Sequence, residues 1–206
     1  MKKIILIAIL IVYSFTVSAQ NKLENSTGVI FGVKAGVNFA TITGDDTEDV
    51  DTRTSFHVGV VVEMEIFDKF SFQPEILYSS QGAKGSSDGM DMEIKYDYLN
   101  IPLLVKYYLA EGFSIEGGPQ VGILLSADGK ASGISVDIKD ITKDIDFSLD
   151  LGLGYILENG LNFAARYNFG ISNINDNNGT IMGTEFDFGD VKNYNGVFQL
   201  SVGYMF

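Results

Sequence analysis

Nine charged residues stand on the polar side of an otherwise apolar, alternating sequence: Lys34, Glu63, Glu65, Glu75, Lys106, Glu116, Asp146, Asp150 and Arg166. If the segments that carry them are strands, all nine share one face, because successive side chains point to opposite sides. Charges gathered in a confined interior must be paired. Such a set can form a structural ion-pair network or line a proton or ion path. The network is the expected arrangement, with Lys34, Lys106 and Arg166 paired to Glu63, Glu75 and Glu116.

Two further constellations could do chemistry. Asp45, Asp46, Glu48, Asp49 and Asp51 cluster within seven residues. Calcium favours several such oxygens, but the order lacks the glycine turn of a calcium loop. A solvated loop is the plain reading, and divalent bridging to lipopolysaccharide or a partner is the alternative. The single histidine, His57, begins an alternating segment. A general base is conceivable there, yet no nucleophile motif accompanies it. The Gly-x-Gly spacings fall inside alternating segments and do not open a helix, so they are not phosphate loops. There is no cysteine, which removes disulfides, thiol catalysis and thiolate metal sites. Neither a cofactor nor a metal site is expected.

The elements that must position these residues are read from the period. Eight segments alternate with period two, the strand signature: residues 28–40, 54–66, 70–80, 94–109, 113–125, 144–157, 161–171 and 194–206. The sixth is the cleanest, with Phe147, Leu149, Leu151, Leu153 and Tyr155 opposite Asp146, Ser148, Asp150, Gly152 and Gly154. Links between segments alternate short and long. Phe67–Lys69, Ala110–Gly112 and Glu158–Gly160 are short, whereas 41–53, 81–92, 126–143 and 172–192 are long. Up-and-down membrane barrels have this asymmetry, with tight periplasmic turns and longer extracellular loops.

The apolar face runs for about 10–12 residues per segment, enough to cross a bilayer on a tilt. Soluble strands usually run about 5–6 residues. The other face mixes glycines with isolated charges, as a narrow lumen would. The fold class expected is all-β, an eight-stranded antiparallel up-and-down transmembrane β-barrel after a cleaved signal peptide. Pro74 and Pro102 each remove a ladder donor and are expected to mark bulges or bends.

The N-terminus reads as an export signal. Lys2 and Lys3 precede an apolar run from Ile4 to about Val17, and Val17-Ser18-Ala19 is a small-residue cleavage site. The domain division is then 1–19 signal peptide, 20–27 short linker and 28–206 barrel. The formal charge of −13 becomes two units more negative without Lys2 and Lys3. Such a surface repels nucleic acid.

The chain resembles the small outer-membrane barrels of Bacteroidetes labelled PorT-like or "porin family". The residues that carry the likeness are Gly32-Val33-Lys34-Ala35-Gly36-Val37-Asn38 and Phe72-Gln73-Pro74-Glu75-Ile76-Leu77-Tyr78-Ser79. The most specific is Tyr98-Leu99-Asn100-Ile101-Pro102-Leu103-Leu104-Val105-Lys106-Tyr107. Tyr204 and Phe206 also resemble the C-terminal signal read by the barrel assembly machinery, although Ser201 stands where that pattern often carries glycine. The resemblance implies a fold and a location in a Gram-negative outer membrane, not one activity. One namesake is linked to protein secretion and gliding machinery.

The expected role is non-enzymatic. It is structural, or exerted through long acidic extracellular loops, with the lumen plugged by charged side chains and both mature termini periplasmic. Eight strands leave an interior just wide enough for side chains. Expected partners are outer-membrane lipid, lipopolysaccharide, the barrel assembly machinery and an envelope or secretion protein. The alternatives are an accessory component of a secretion system, and a rim-site enzyme or narrow pore.

Overall fold

The computed structural model describes residues 28–45, 47, 50–87, 90–131, 133–176, 180–181, 184–185 and 189–206. The expected signal peptide and linker lie outside the described residues. Eight long strands follow in order: β1 Val29–Gly44, β2 Val50–Phe67, β3 Phe70–Ser87, β4 Met90–Ala110, β5 Phe113–Ala131, β6 Ile145–Ile156, β7 Leu161–Gly170 and β8 Asn193–Met205. Each pairs antiparallel with its sequence neighbours, and β8 pairs back to β1, so the sheet closes into a ring. Closure is what lets a sheet stand in lipid, since no backbone edge is left unsatisfied.

The ring is inside out compared with a soluble barrel. Val33, Phe56, Phe147, Leu151, Phe163 and Leu200 are exposed, whereas Lys34, Glu75, Gln120, Asp150, Arg166 and Gln199 are buried. Period two alone sorts the residues to the two sides. The outward apolar belt suits a hydrocarbon surround, where exposure to water would cost the hydrophobic term at every row.

The strands depart from expectation at one end. β2 to β5 run 18 to 21 residues, whereas β6 to β8 run 10 to 13. At about 3.4 Å per residue, a 21-residue strand spans roughly 70 Å, more than twice the roughly 30 Å hydrocarbon core. One side of the ring therefore continues as a wall well beyond the belt. The stretch 81–92, expected as a loop, is mostly an extended hairpin arm, with Ala83 opposite Ile94 and Gly85 opposite Met92. Its glycines, serines and lysine carry no apolar alternation, so no local signal marks it. Backbone pairing to a strong neighbouring strand overrides the weak propensity. Residues 126–131 likewise continue β5 against β4. Beyond them, Ile134–Asp137 pairs back on β5, and a short 3-10 turn covers Lys139–Ile141.

Bulges or bends are expected at Pro74 and Pro102, and neither proline carries a bulge. Register is the same on either side of the Pro74–Leu103 pair and of the Pro102–Gln120 pair, with paired contacts interrupted for two residues beside each. The register shifts fall elsewhere, at Thr52/His57, Glu65/Phe67, Asp97/Tyr98 and Tyr108/Ala110. A proline removes a donor without adding a residue, so it interrupts bonding without changing the count along the strand.

Candidate functional site

Three places hold the residues that could do chemistry: the middle of the lumen, a histidine beside it, and the mouth at the long-loop end. In the lumen, Arg166 on β7 is the hub. Its Nε donates to Glu116 Oε1 at 2.9 Å, and Nη1 and Nη2 donate to Glu75 Oε2 and Oε1 at 3.1 and 2.9 Å. Asp150 Oδ2 lies 3.8 Å from Nη1. The planar guanidinium fork meets Glu75 with two parallel hydrogen bonds while a further N–H reaches Glu116, a fixed geometry that the point charge of a lysine does not offer. Lys34 on β1 completes the group by donating to Glu75 Oε1 at 2.7 Å. Gly152, opposite Arg166 on the next strand, leaves the room: a Cβ there would sit 3.1 Å from Glu116 Oε1.

A second group lies toward the short turns. Lys106 Nζ donates to Glu63 Oε2 at 2.8 Å and to Gln73 Oε1 at 3.1 Å, while the Tyr108 hydroxyl donates to Glu63 Oε1. Gln73 joins the groups, because its Nε2 donates to Glu75 Oε1 at 2.6 Å. A cavity of about 20 Å³ is left beside them, lined in part by Lys34, Glu63, Gln73, Lys106 and Glu116. That is room for about one water molecule.

Seven of the nine charges named from sequence thus meet through direct contacts or through Gln73. Two do not. Asp146 is buried higher in the lumen, where it accepts from Asn195 Nδ2 at 2.9 Å and Ser172 Oγ at 2.6 Å. Glu65 is exposed near the end of β2, next to the register shift at Glu65/Phe67, and joins no ion pair among the described residues. Gln73 escaped the sequence reading because it is neutral. Its place beside Glu75 on the same strand face was the available signal.

His57 is not at a rim. It is buried opposite Gly36, midway along β1, and Gly36 is what admits it, since a Cβ there would lie 2.5 Å from the ring. Its Nδ1 is 2.7 Å from Asn38 Oδ1 and its Nε2 is 2.8 Å from Ser201 Oγ. A serine, a histidine and an orienting amide in one line have the order of a nucleophilic relay. His57 is buried and Ser201 half-buried, and both ring nitrogens are engaged, so the three side chains form a hydrogen-bond network. A fluorophosphonate probe should leave Ser201 of the folded protein unlabelled. Mass-spectrometric detection of the adduct would show an accessible nucleophile.

The mouth carries what the loop reading did not foresee. Ile42, Ala83, Tyr96, Tyr98, Leu124, Ala127 and Ile174 form a buried apolar cluster, with Val50, Ile94 and Ile138 packed against it. The cluster borders a cavity of about 1050 Å³ between the extended wall and the Ile134–Asp137 arm. Arg53 ties the neighbouring strands β2, β3 and β4 together. Its Nε donates to Glu93 Oε1 at 2.7 Å and its Nη1 to Ser80 Oγ and the Gln81 carbonyl. The Arg53 guanidinium beside Glu93, above the apolar belt, holds that carboxyl below the usual carboxylate range. Of the acidic cluster 45–51, Asp45 accepts from the Lys192 backbone at 2.9 Å and Asp51 is exposed. Asp46, Glu48 and Asp49 lie outside the described residues. Among the described residues, no group of acidic or histidine side chains is arranged to hold a metal ion.

The comparisons with known proteins agree with this architecture. Neisserial surface protein A is 13% identical, with a TM-score of 0.52 over 85% of this chain and 97% of that one. Ail, the attachment invasion locus protein of Yersinia pestis, is 15% identical, with a TM-score of 0.51 over 87% of this chain and 99% of that one. At these identities the likeness is one of fold. A search of curated proteins finds no match. The family described as outer membrane protein beta-barrel domain matches residues 18–176, and the chain belongs to that family.

Proposed function

We propose that the protein is a non-enzymatic, integral outer-membrane barrel that is closed to solutes and acts through its long-loop end. The observation that carries this reading is the filled lumen. Arg166 stands between Glu75, Glu116 and Asp150, and the space beside them is about 20 Å³. Channels that pass solutes are built from about 16–18 strands. In this reading both mature termini are periplasmic, beside the short turns, and the extended wall and acidic loops face outward. Outer-membrane lipid and lipopolysaccharide surround the belt. Tyr204 and Phe206, exposed at the C-terminal end of the belt, offer the barrel assembly machinery its signal. A protein of the envelope would meet the loop end. Planar-bilayer recording of the purified barrel tests the closure. The expected trace lacks a stable large conductance, and regular open steps would overturn it.

A narrower kinship with PorT-like barrels of Bacteroidetes, and with it an accessory role in secretion, is favoured by the motif Tyr98–Tyr107 on β4. Asn100 and Lys106 of that motif are buried in the lumen, so the motif serves the barrel interior as well as any kinship. Co-purification of envelope partners on the tagged barrel separates the two roles. Capture of secretion components would favour the accessory role.

A further inference from the structure

We propose that the upper lumen holds a small monovalent cation of the sodium type, seated against Asp146 and completed by the amide oxygen of Asn195. The site is separate from the ion-pair network around Arg166, because Asp146 stands outside that network.

Charge is the first argument. Six carboxylates are buried among the described residues: Glu63, Glu75, Asp97, Glu116, Asp146 and Asp150. Five of them have a lysine or arginine nitrogen within 3.8 Å. Asp146 is only 6% exposed, yet it has no such partner among the described residues. Its hydrogen bonds are those of a carboxylate, which accepts only. Ser172 Oγ donates to one oxygen at 2.6 Å, and Asn195 Nδ2 donates to the other at 2.9 Å. Ser172 Oγ accepts the Phe147 N–H at 2.7 Å, which leaves its own proton for Asp146. A buried carboxylate without a counter-charge is costly, and a cation beside it removes that cost.

The second argument is a buried oxygen with no partner. Asn195 on β8 is 1% exposed, and its Oδ1 accepts no hydrogen bond. The Nδ2 end of the amide belongs on Asp146, since the reverse placement would set two acceptors face to face. Oδ1 therefore stands one amide width from the carboxylate. Gly122 on β5 is in register with both Asp146 and Asn100 and keeps the centre open. A Cβ there would lie 2.9 Å from Asn100 Oδ1, 3.3 Å from the Tyr98 ring and 3.6 Å from Asp146 Cβ. The Tyr98 hydroxyl lies 3.4 Å from Asn195 Nδ2. Asn100 Nδ2, also without a partner, suits a water in the shell of the cation. One carboxylate among neutral oxygens matches a single positive charge. Calcium takes about 6–8 oxygens, several of them from carboxylates, and no such acidic group is present among the described residues.

The urea midpoint of protein refolded into phosphatidylcholine vesicles tests the inference, read in sodium chloride against N-methyl-D-glucamine chloride at equal ionic strength. The midpoint should rise saturably with sodium, as for any ligand of the folded state, and stay constant with the bulky cation. Asp146→Asn, close in shape, should lose the sodium dependence. Asp140→Asn, in the 3-10 turn beyond the belt, should keep it. In nanodiscs, the side-chain amide resonances of Asn195 in the parent protein should move with the same sodium midpoint, a readout that stands even if Asp146→Asn fails to fold. A midpoint that falls from about pH 5 to 9 and ignores sodium would make a proton the occupant and overturn the inference. Sodium dependence that survives in Asp146→Asn would place the cation elsewhere and overturn it as well. Neither result bears on the closed lumen, which the conductance recording decides.

Discussion

Arg166→Ala is expected to lower the unfolding free energy of the barrel by about 3–5 kcal/mol, the cost of breaking a buried ion pair by removing one partner. The substitution leaves Glu75, Glu116 and Asp150 buried with Lys34 as the one remaining cation in direct contact, at 2.7 Å from Glu75. Glu116 would lose both of its contacts below 3 Å. The penalty comes from the orphaned carboxylates, not from the lost attraction, because desolvation already offsets most of that attraction. Two companion variants separate these terms. Arg166→Lys keeps the charge but not the fork, and should lose about 1–3 kcal/mol through unmade hydrogen bonds. Arg166→Met combined with Glu116→Gln and Asp150→Asn should recover most of the loss, since Lys34 and Glu75 then remain as a pair and nothing charged is left unpaired around position 166. Urea titration of protein refolded into phosphatidylcholine vesicles reads all three. A loss below about 1 kcal/mol for Arg166→Ala would mean that water reaches the cluster, and the plugged lumen would fall with it.

Leu151→Arg probes the outer face with a comparable effect. Leu151 lies in the middle of β6, 51% exposed, in the outward row with Leu149 and Leu153. In water an exposed substitution of this kind changes stability by no more than about 0.5 kcal/mol. At the midplane of a bilayer an outward arginine costs a transmembrane barrel about 2–4 kcal/mol. The same vesicle titration therefore decides whether the belt is lipid-facing. Asp140→Arg, in the 3-10 turn beyond the belt, serves as the control and should stay within about 0.5 kcal/mol of the parent. Equal small effects at both positions would place the apolar face against something other than lipid.

The candidate sites were legible in the sequence to different depths. The alternation placed Lys34, Glu63, Glu75, Lys106, Glu116, Asp150 and Arg166 on one face, and all seven are buried in the lumen. The same rule misplaced Glu65, because alternation says which side a residue faces but not whether the barrel covers it at that height. From the alternation alone, a segment that starts at residue 54 puts His57 near a strand end. β2 in fact begins at Val50, and the histidine lies opposite the middle of β1. The mouth was read as solvated loops because residues 81–92 and 126–143 carry charges, glycines and no period. Their apolar residues, among them Ala83, Ala127 and Ile138, converge with Ile94 only once the hairpin arms pair.

The sequence by itself determined the strand count, the side each residue faces and the short turns, because period two and turn chemistry are local properties of a few consecutive residues. The tertiary structure decided which side chains meet. Arg166 reaches Glu75 across 91 residues of chain and Ser201 reaches His57 across 144. Those meetings depend on the stagger at which the ring closes, a single global quantity that no stretch of sequence encodes alone.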